Sequence, residues 1–302
     1  MRTLTLSDHT ADKVAAAVAR REAEDVAAAN AYRSALSTRE AHLNSHRKAV
    51  SEAWENREIF SIVISVIRLG IVHLSSKKPD NPVKRPPDRD EIIWASGNEG
   101  ERRVADYLSK LPDDWILISG YRNAKGEIDQ ILLGPRGIFA IEIKNIKGLF
   151  HCDGDRWWYD KYDVYGNLVE TKKPLADKHR RGPSKQLNDS ADQLQSFLAK
   201  RVNVSHVHRV LVLAHDSSRL GNLRNITVDT VATINSLDLD RLFSLSSISL
   251  NSQAVERVSQ AIKKHHDFYE KKILGVSGQH LSKYPVYDDK SIVPPNIREK
   301  PR

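Results

Sequence analysis

EIDQILLGPRGIFAIEIKN, residues 127–145, reads as two β-strands joined by a tight turn. Runs of Ile, Leu and Phe flank Gly134-Pro135-Arg136-Gly137, and apolar runs around a Gly/Pro turn are the sequence mark of a hairpin. A loop of two or four residues gives one register, with Leu133 opposite Ile138, Ile131 opposite Ala140, Asp129 opposite Glu142 and Glu127 opposite Lys144. Directly opposed residues hold their Cβ atoms roughly 4.5–5.5 Å apart, so both acids can reach one hard cation. Lys144 lies two residues past Glu142 and shares its face. The same residues also suit a solvent-facing edge hairpin with Glu127 and Lys144 as a cross-strand ion pair, and the hairpin alone leaves both readings standing.

The flanking segments have the pattern of an α/β domain. Upstream, GNEGERRVADYLSKL (97–111) is a helix whose Val104, Ala105, Leu108 and Leu111 form an apolar stripe. Glu101 falls on that stripe, where a carboxylate needs a cation or hydrogen-bond donors. The alternative is a first-turn acid favoured by the helix dipole. A strand is expected at 115–119. Downstream, LFHCDGDRWWY (149–159) contains a second hairpin turn at Asp153-Gly154, and Trp157 and Trp158 alternate faces, one for the core and one for the surface or for base stacking. The run 171–185 sets six cations, Lys172, Lys173, Lys178, Arg180, Arg181 and Lys185, against one Asp. It reads as a single loop of charge +5, either a phosphate grip or a solvated surface. An amphipathic helix opened by Gln186 follows, then buried strands at 206–215 and 225–233, a short helix at 237–243 and a longer one at 252–273. His206 and His208 alternate along their strand, but no carboxylate or third histidine stands at a recognisable metal-binding spacing.

The first third of the chain is different. Residues 11–58 are rich in Ala, Glu and Arg and lack Gly and Pro, which predicts one long helix or a helical hairpin. Leu36, Leu43 and Val50 recur every seven residues with Trp54 near by, a weak heptad that suits either a homodimer or packing on the same chain. IFSIVISVIRLGIVHL (59–74) is the most apolar stretch, yet it is shorter than the roughly 20 residues a bilayer requires and is interrupted by Arg68 and His73. A buried or interfacial helix is expected there rather than a membrane span. The resulting division is a helical region 1–74, a Pro-rich linker 75–90, an α/β domain 91–273 and a tail 274–302. A single cysteine, Cys152, precludes an intramolecular disulfide framework and a cysteine zinc site. With no secretory pattern at the N-terminus, the expected compartment is the reducing cytoplasm. The net charge of +8 favours a polyanionic partner.

In chain order, Gly97/Gly100-Glu101 (GNEGE), Glu127-Ile128-Asp129, GIFAIEIKN (137–145) and Pro183 to Gln186 resemble the motifs of the NERD (nuclease-related domain) family of the PD-(D/E)XK nuclease superfamily, and Gly148 and Trp157 also fit. The resemblance covers about 95–215. It implies a restriction-endonuclease-like fold, a central mixed sheet flanked by helices. It also implies that Asp129 and Glu142 hold Mg²⁺ or Mn²⁺ with Glu101 as a third acid, that Lys144 orients the attacking water, and that Gln186 supports the site. The function implied is cleavage of nucleic acid, DNA before RNA, in defence or repair. A catalytically silent binding or signalling module on the same fold is the alternative. Within this reading Glu127 becomes a partner that positions Lys144.

Overall fold

A computed structural model describes residues 1–273 apart from 58, 76 and 164, so the expected tail at 274–302 lies outside the described residues. In chain order the elements are β1 (Arg2–Thr5), α1 (His9–Glu55), α2 (Ile59–Ser75), α3 (Arg89–Leu108), β2 (Ile116–Asn123), β3 (Gly126–Gly134), β4 (Gly137–Lys144), β5 (Gly148–Asp153), β6 (Arg156–Tyr162) and β7 (Leu168–Pro174). They continue with α4 (Pro183–Val202), β8 (His208–Leu213), β9 (Ser218–Arg224), β10 (Thr230–Thr233), α5 (Leu239–Ser244) and α6 (Ser252–Ile273). The chain falls into two compact units, one of Met1–Asp12 with the residues from Ile93 onward, the other Lys13–Ile92.

The first unit is built on a six-stranded mixed sheet in the order β1-β2-β3-β4-β8-β10. β2, β3 and β4 form an antiparallel meander, while β1 joins β2, β8 joins β4 and β10 joins β8, all in parallel. Side chains alternate along each strand, so a strand covered on both faces must be apolar throughout. Ile131 and Leu133 face Leu187, Leu194 and Leu198 of α4 and Val258 and Ile262 of α6, and all seven are fully enclosed. Leu132, Phe139 and Ile141 face the other way, against Val104 and Leu108 of α3 and Leu242 of α5. The fold is therefore a mixed sheet flanked by helices and preceded by a long N-terminal helix, as expected. A second sheet, β7-β6-β5-β9, adds two strands that the sequence did not signal, β7 and β9. Their alternation is obscured because both are largely exposed.

Two further expectations change, and between them an open alternative is decided. Residues 2–5 are a strand of the main sheet, not part of a helical region. Four residues with only partial burial carry too short a pattern to be read as a strand. Residues 9–55 form one continuous helix rather than a hairpin; along it Leu43 and Ala53 are buried, Leu36 and Val50 half-buried, and Trp54 is 70% exposed, off the heptad. Burial of 59–74 is not met: α2 has no buried residue, and Phe60 and Leu74 are 86% and 85% exposed. No helix of the described residues is long and apolar enough to cross a membrane. In this second unit, Asp88 and Glu91 are fastened to Arg20 and Arg21 of α1 at 2.7 and 3.0 Å.

The N-terminal strand continues into a segment that bears on the site. Gly120, at φ +69°, admits the Ser7 carbonyl so closely that a Cβ at Gly120 would lie 1.8 Å from it, and Ser7 Oγ donates to the Gly120 carbonyl at 2.6 Å. Both the left-handed backbone and the contact require glycine. Gly120→Ala is expected to lower stability by roughly 1–3 kcal/mol, read as a lower urea midpoint with an unchanged slope.

Candidate active site

The hairpin keeps the expected register only near its turn. β3 and β4 pair from Gly134 opposite Gly137 to Gln130 opposite Ile141. Beyond that point β3 stays with β2, setting Glu127 opposite Arg122, while β4 stays with β8, setting Glu142 opposite Leu211 and Lys144 opposite Leu213. The two strands thus fork, and Asp129 fills the fork: its Oδ2 accepts the Ile143 N–H at 2.7 Å, taking a donor that a continued ladder would have used. The expected place of Glu127 across from Lys144 is corrected by this fork. Glu127 instead pairs with Arg122 Nη2 at 3.2 Å, whereas Lys144 Nζ meets Glu142 Oε1 at 2.6 Å.

Glu101 is brought to the fork by close packing of α3. A Cβ at Gly100 would stand 2.6 Å from Asn145 Cβ, so the second glycine of GNEGE lets the helix lie against the end of β4. Asn145 Nδ2 donates to the Ser96 carbonyl at 2.8 Å and Ser96 Oγ to the Asn145 carbonyl at 3.1 Å, a reciprocal latch. Gln130 Nε2 donates to the Glu101 carbonyl at 2.8 Å and fixes the helix to β3. From the N-terminal segment, Thr10 Oγ1 donates to Glu101 Oε1 at 3.0 Å. Thr10 and neighbouring Asp8 are members of the site that sequence reading missed, and no local signal could link them to a helix some ninety residues on.

The electrostatics follow from this crowding. Asp129 is pushed well above the usual carboxylate range, first by burial and then by the Glu142 charge, with Lys144 opposing. Glu101 rises to about 7, chiefly through burial; the Thr10 hydrogen bond opposes this, and the charges of Glu127, Asp8 and Glu142 add to it. For Lys144, burial works against the charge but Glu142 and Asp129 outweigh it, so the ammonium is held more firmly than usual. Glu142 is buried, its side chain 4% exposed, and Lys144 is 23% exposed. Three acids therefore share one ammonium. Buried carboxylates short of positive charge either keep protons or take a cation, and oxygen donors of this kind suit a hard divalent ion.

Residues 96–214 match the family model described as the nuclease-related domain, NERD. Over this segment the chain is similar to the nuclease-related domain family. No curated protein and no solved structure matches the chain. The NERD segment contains Glu101, Asp129, Glu142, Lys144 and Gln186, and its match agrees with a PD-(D/E)XK-type nuclease fold. Thr10 and Asp8 come from outside it.

The other expected NERD residues fare differently. Gln186 stands in the first turn of α4, and its amide donates to the Arg181 carbonyl at 2.8 Å, which ties the helix start to the loop before it. The basic run is not one loop of charge +5. Lys172 and Lys173 belong to β7 and Lys185 to α4. Acids within and just beside the run also offset much of its charge. Lys173 pairs with Glu170 at 2.8 Å, Arg181 with Asp177 at 2.8 Å, and Lys185 with Asp189 at 2.5 Å. Among the described residues, Lys172, Lys178 and Arg180 make no ion pair. Lys172 and Arg180 line a cleft of about 700 Å³ together with Trp157 and Trp158. Trp157 is buried with its Nε1 donating to Ser184 Oγ at 3.0 Å, while half-buried Trp158 stacks on His151.

The raised Glu101 carboxyl makes stability depend on pH. The folded state binds the Glu101 proton up to about pH 7 and the unfolded state only to its ordinary 4.5, so stability falls as pH rises across that window. Glu101→Gln is expected to leave stability nearly unchanged at pH 5 and to raise it by on the order of 1–3 kcal/mol at pH 8, measured by urea unfolding without added metal.

Proposed function

We propose that the NERD domain is a metal-dependent nuclease that hydrolyses phosphodiester bonds, with DNA the preferred substrate. One observation carries the reading: where β3 and β4 part, Asp129 feels the charges of Glu142 and Glu101, and the Lys144 ammonium lies 2.6 Å from Glu142. Asp129 and Glu142 would be the ligands of Mg²⁺ or Mn²⁺, which favour carboxylate oxygens, with Glu101 as a third acid near by. Such an ion, when bound, polarises a phosphoryl oxygen and lowers the pKa of water beside it.

The chain's own residues supply the rest. Asp129, anchored by the Ile143 N–H, and Glu142, enclosed by the sheet, present their oxygens without needing to reorganise. Lys144 stays charged and offers N–H donors to the phosphate oxygens as negative charge grows there. Water adds to phosphorus, the P–O bond to the leaving nucleoside breaks, and the leaving oxygen takes a proton. Without a metal, burial first and nearby acids next push the Glu101 carboxyl up to about 7, which suits an acid that gives up its proton when a cation binds. Gln186 acts as a positioning residue by bracing the loop at Arg181. Lys172, Lys178 and Arg180 are the cations that remain to meet the phosphate backbone. Half-buried Trp158, which lines the cleft with Lys172 and Arg180, gives a base an aromatic surface.

The test uses plasmid, single-stranded DNA and RNA with Mg²⁺, Mn²⁺ or EDTA. Asp129→Asn, Glu142→Gln and Lys144→Met are each expected to cut kcat/KM by about 10²–10⁴ with unchanged circular dichroism, and EDTA to abolish cleavage reversibly. Equal cleavage by all variants would refute the assigned site. Failure of the wild type on every substrate would favour the silent binding module. Joint replacement of Lys172, Lys178 and Arg180 by Ala is expected to raise KM, flatten the salt dependence by about two to three units of slope and leave kcat close to the wild-type value.

A further inference from the structure

At the opposite end of the sheet from the acids, β4, β8 and β10 run parallel and begin side by side, with Phe139 opposite His208 and Thr230 opposite Val210. His206, His208 and Asp229 meet there, and donor atoms from the three lie within 4.8 Å of one another. Sequence spacing alone conceals the set, because the carboxylate arrives from the loop before β10. Glu142 and Lys144 stand at the far end of β4, so the two clusters are separate.

Each residue is placed in a way that suits a ligand. His208 is 4% exposed and neither ring nitrogen has a hydrogen-bond partner. An orphaned buried polar group is costly, and a metal on one nitrogen removes part of that cost. Phe139 stacks on the His208 ring at 5.0 Å and 22°, while His206 meets it edge-on at 4.4 Å. Asp229 is locked to β8 from both sides: its N–H donates to the Arg209 carbonyl at 3.0 Å and its Oδ2 accepts the Arg209 N–H at 2.7 Å. No protein hydrogen bond occupies Oδ1 among the described residues, and Asp229 is exposed, so an ion has a route in. The nearby Arg209 guanidinium is engaged elsewhere, with Asp192 at 2.5 Å and the Val207 carbonyl at 2.8 Å.

We propose that His206, His208 and Asp229 bind a transition-metal ion of the Zn²⁺ class that pins edge strand β10 to β8. Two imidazoles and one carboxylate select a borderline metal such as Zn²⁺, Co²⁺ or Ni²⁺ rather than Mg²⁺, which takes oxygen ligands. Three protein ligands leave the remaining coordination to water. The site lies away from the acids and serves stability, because an ion bound by the folded state alone raises stability by mass action.

The experiment uses the full chain stripped with EDTA and titrated with Zn²⁺ by calorimetry and with Co²⁺ by visible absorption. The Glu142→Ala variant serves to silence the acid cluster in all samples. His208→Ala risks misfolding, so His206→Ala and Asp229→Asn, at less buried positions, are the test variants. The expected result is one equivalent of Zn²⁺ bound with a rise in Tm, Co²⁺ d–d bands of imidazole ligation, and at least a tenfold loss of affinity with no Tm rise in either variant. Unchanged Zn²⁺ affinity in both variants, or no Zn²⁺ binding by the Glu142→Ala protein, would overturn the proposal. Neither outcome depends on nuclease activity.

Discussion

The site depends on the place where β3 and β4 stop pairing. Up to Gln130 and Ile141 the two strands satisfy each other's backbone; past it, each keeps only its outer neighbour. The freed Ile143 N–H then requires an acceptor, and Asp129 supplies one from its side chain. A backbone requirement thus fixes the carboxylate that would otherwise be the most expensive to hold. Glu142 and Lys144 follow on the same face of β4, and the close approach of α3 at Gly100 adds Glu101. Scaffold and site share one cause.

The fork concentrates like charges, and a fold does not accumulate those without a counterweight. Lys144 is not enough, since Asp129 and Glu101 both resist ionisation beside it. Arg122 neutralises Glu127 instead of joining the cluster, and also reaches Glu270 at 3.3 Å. The remaining deficit is the physical content of the functional reading: acids kept together in this way give up stability above neutral pH, which a bound cation would restore.

Much of this was legible in the sequence because it is local. The turn Gly134 to Gly137, the pairing of Ile131 with Ala140, and the helices at 184–202 and 252–273 each follow from spacing and turn chemistry within a few residues. Glu101, Asp129, Glu142 and Lys144 could be chosen because their order matches a family pattern, and the structure gathers them. What escaped notice is non-local or too short. The fork is a competition among three strands, which a two-strand register cannot express. Thr10, the four-residue strand at 2–5, and Asp229 beside His208 are joined to their partners only by the fold. The basic run misled because its members lie in a strand, a loop and a helix rather than one loop, and because Glu170 and Asp189, just outside the counted stretch, pair with Lys173 and Lys185.

If the reading of the fork is right, the acid cluster binds a cation in exchange for protons. Calorimetric titration of Mn²⁺ into the His206→Ala protein at pH 6 and pH 8 isolates that cluster. Affinity should rise with pH, because protons on Asp129 and Glu101 compete with the ion, and should fall at least tenfold when Glu142→Ala is added. Binding that ignores both pH and Glu142 would contradict it.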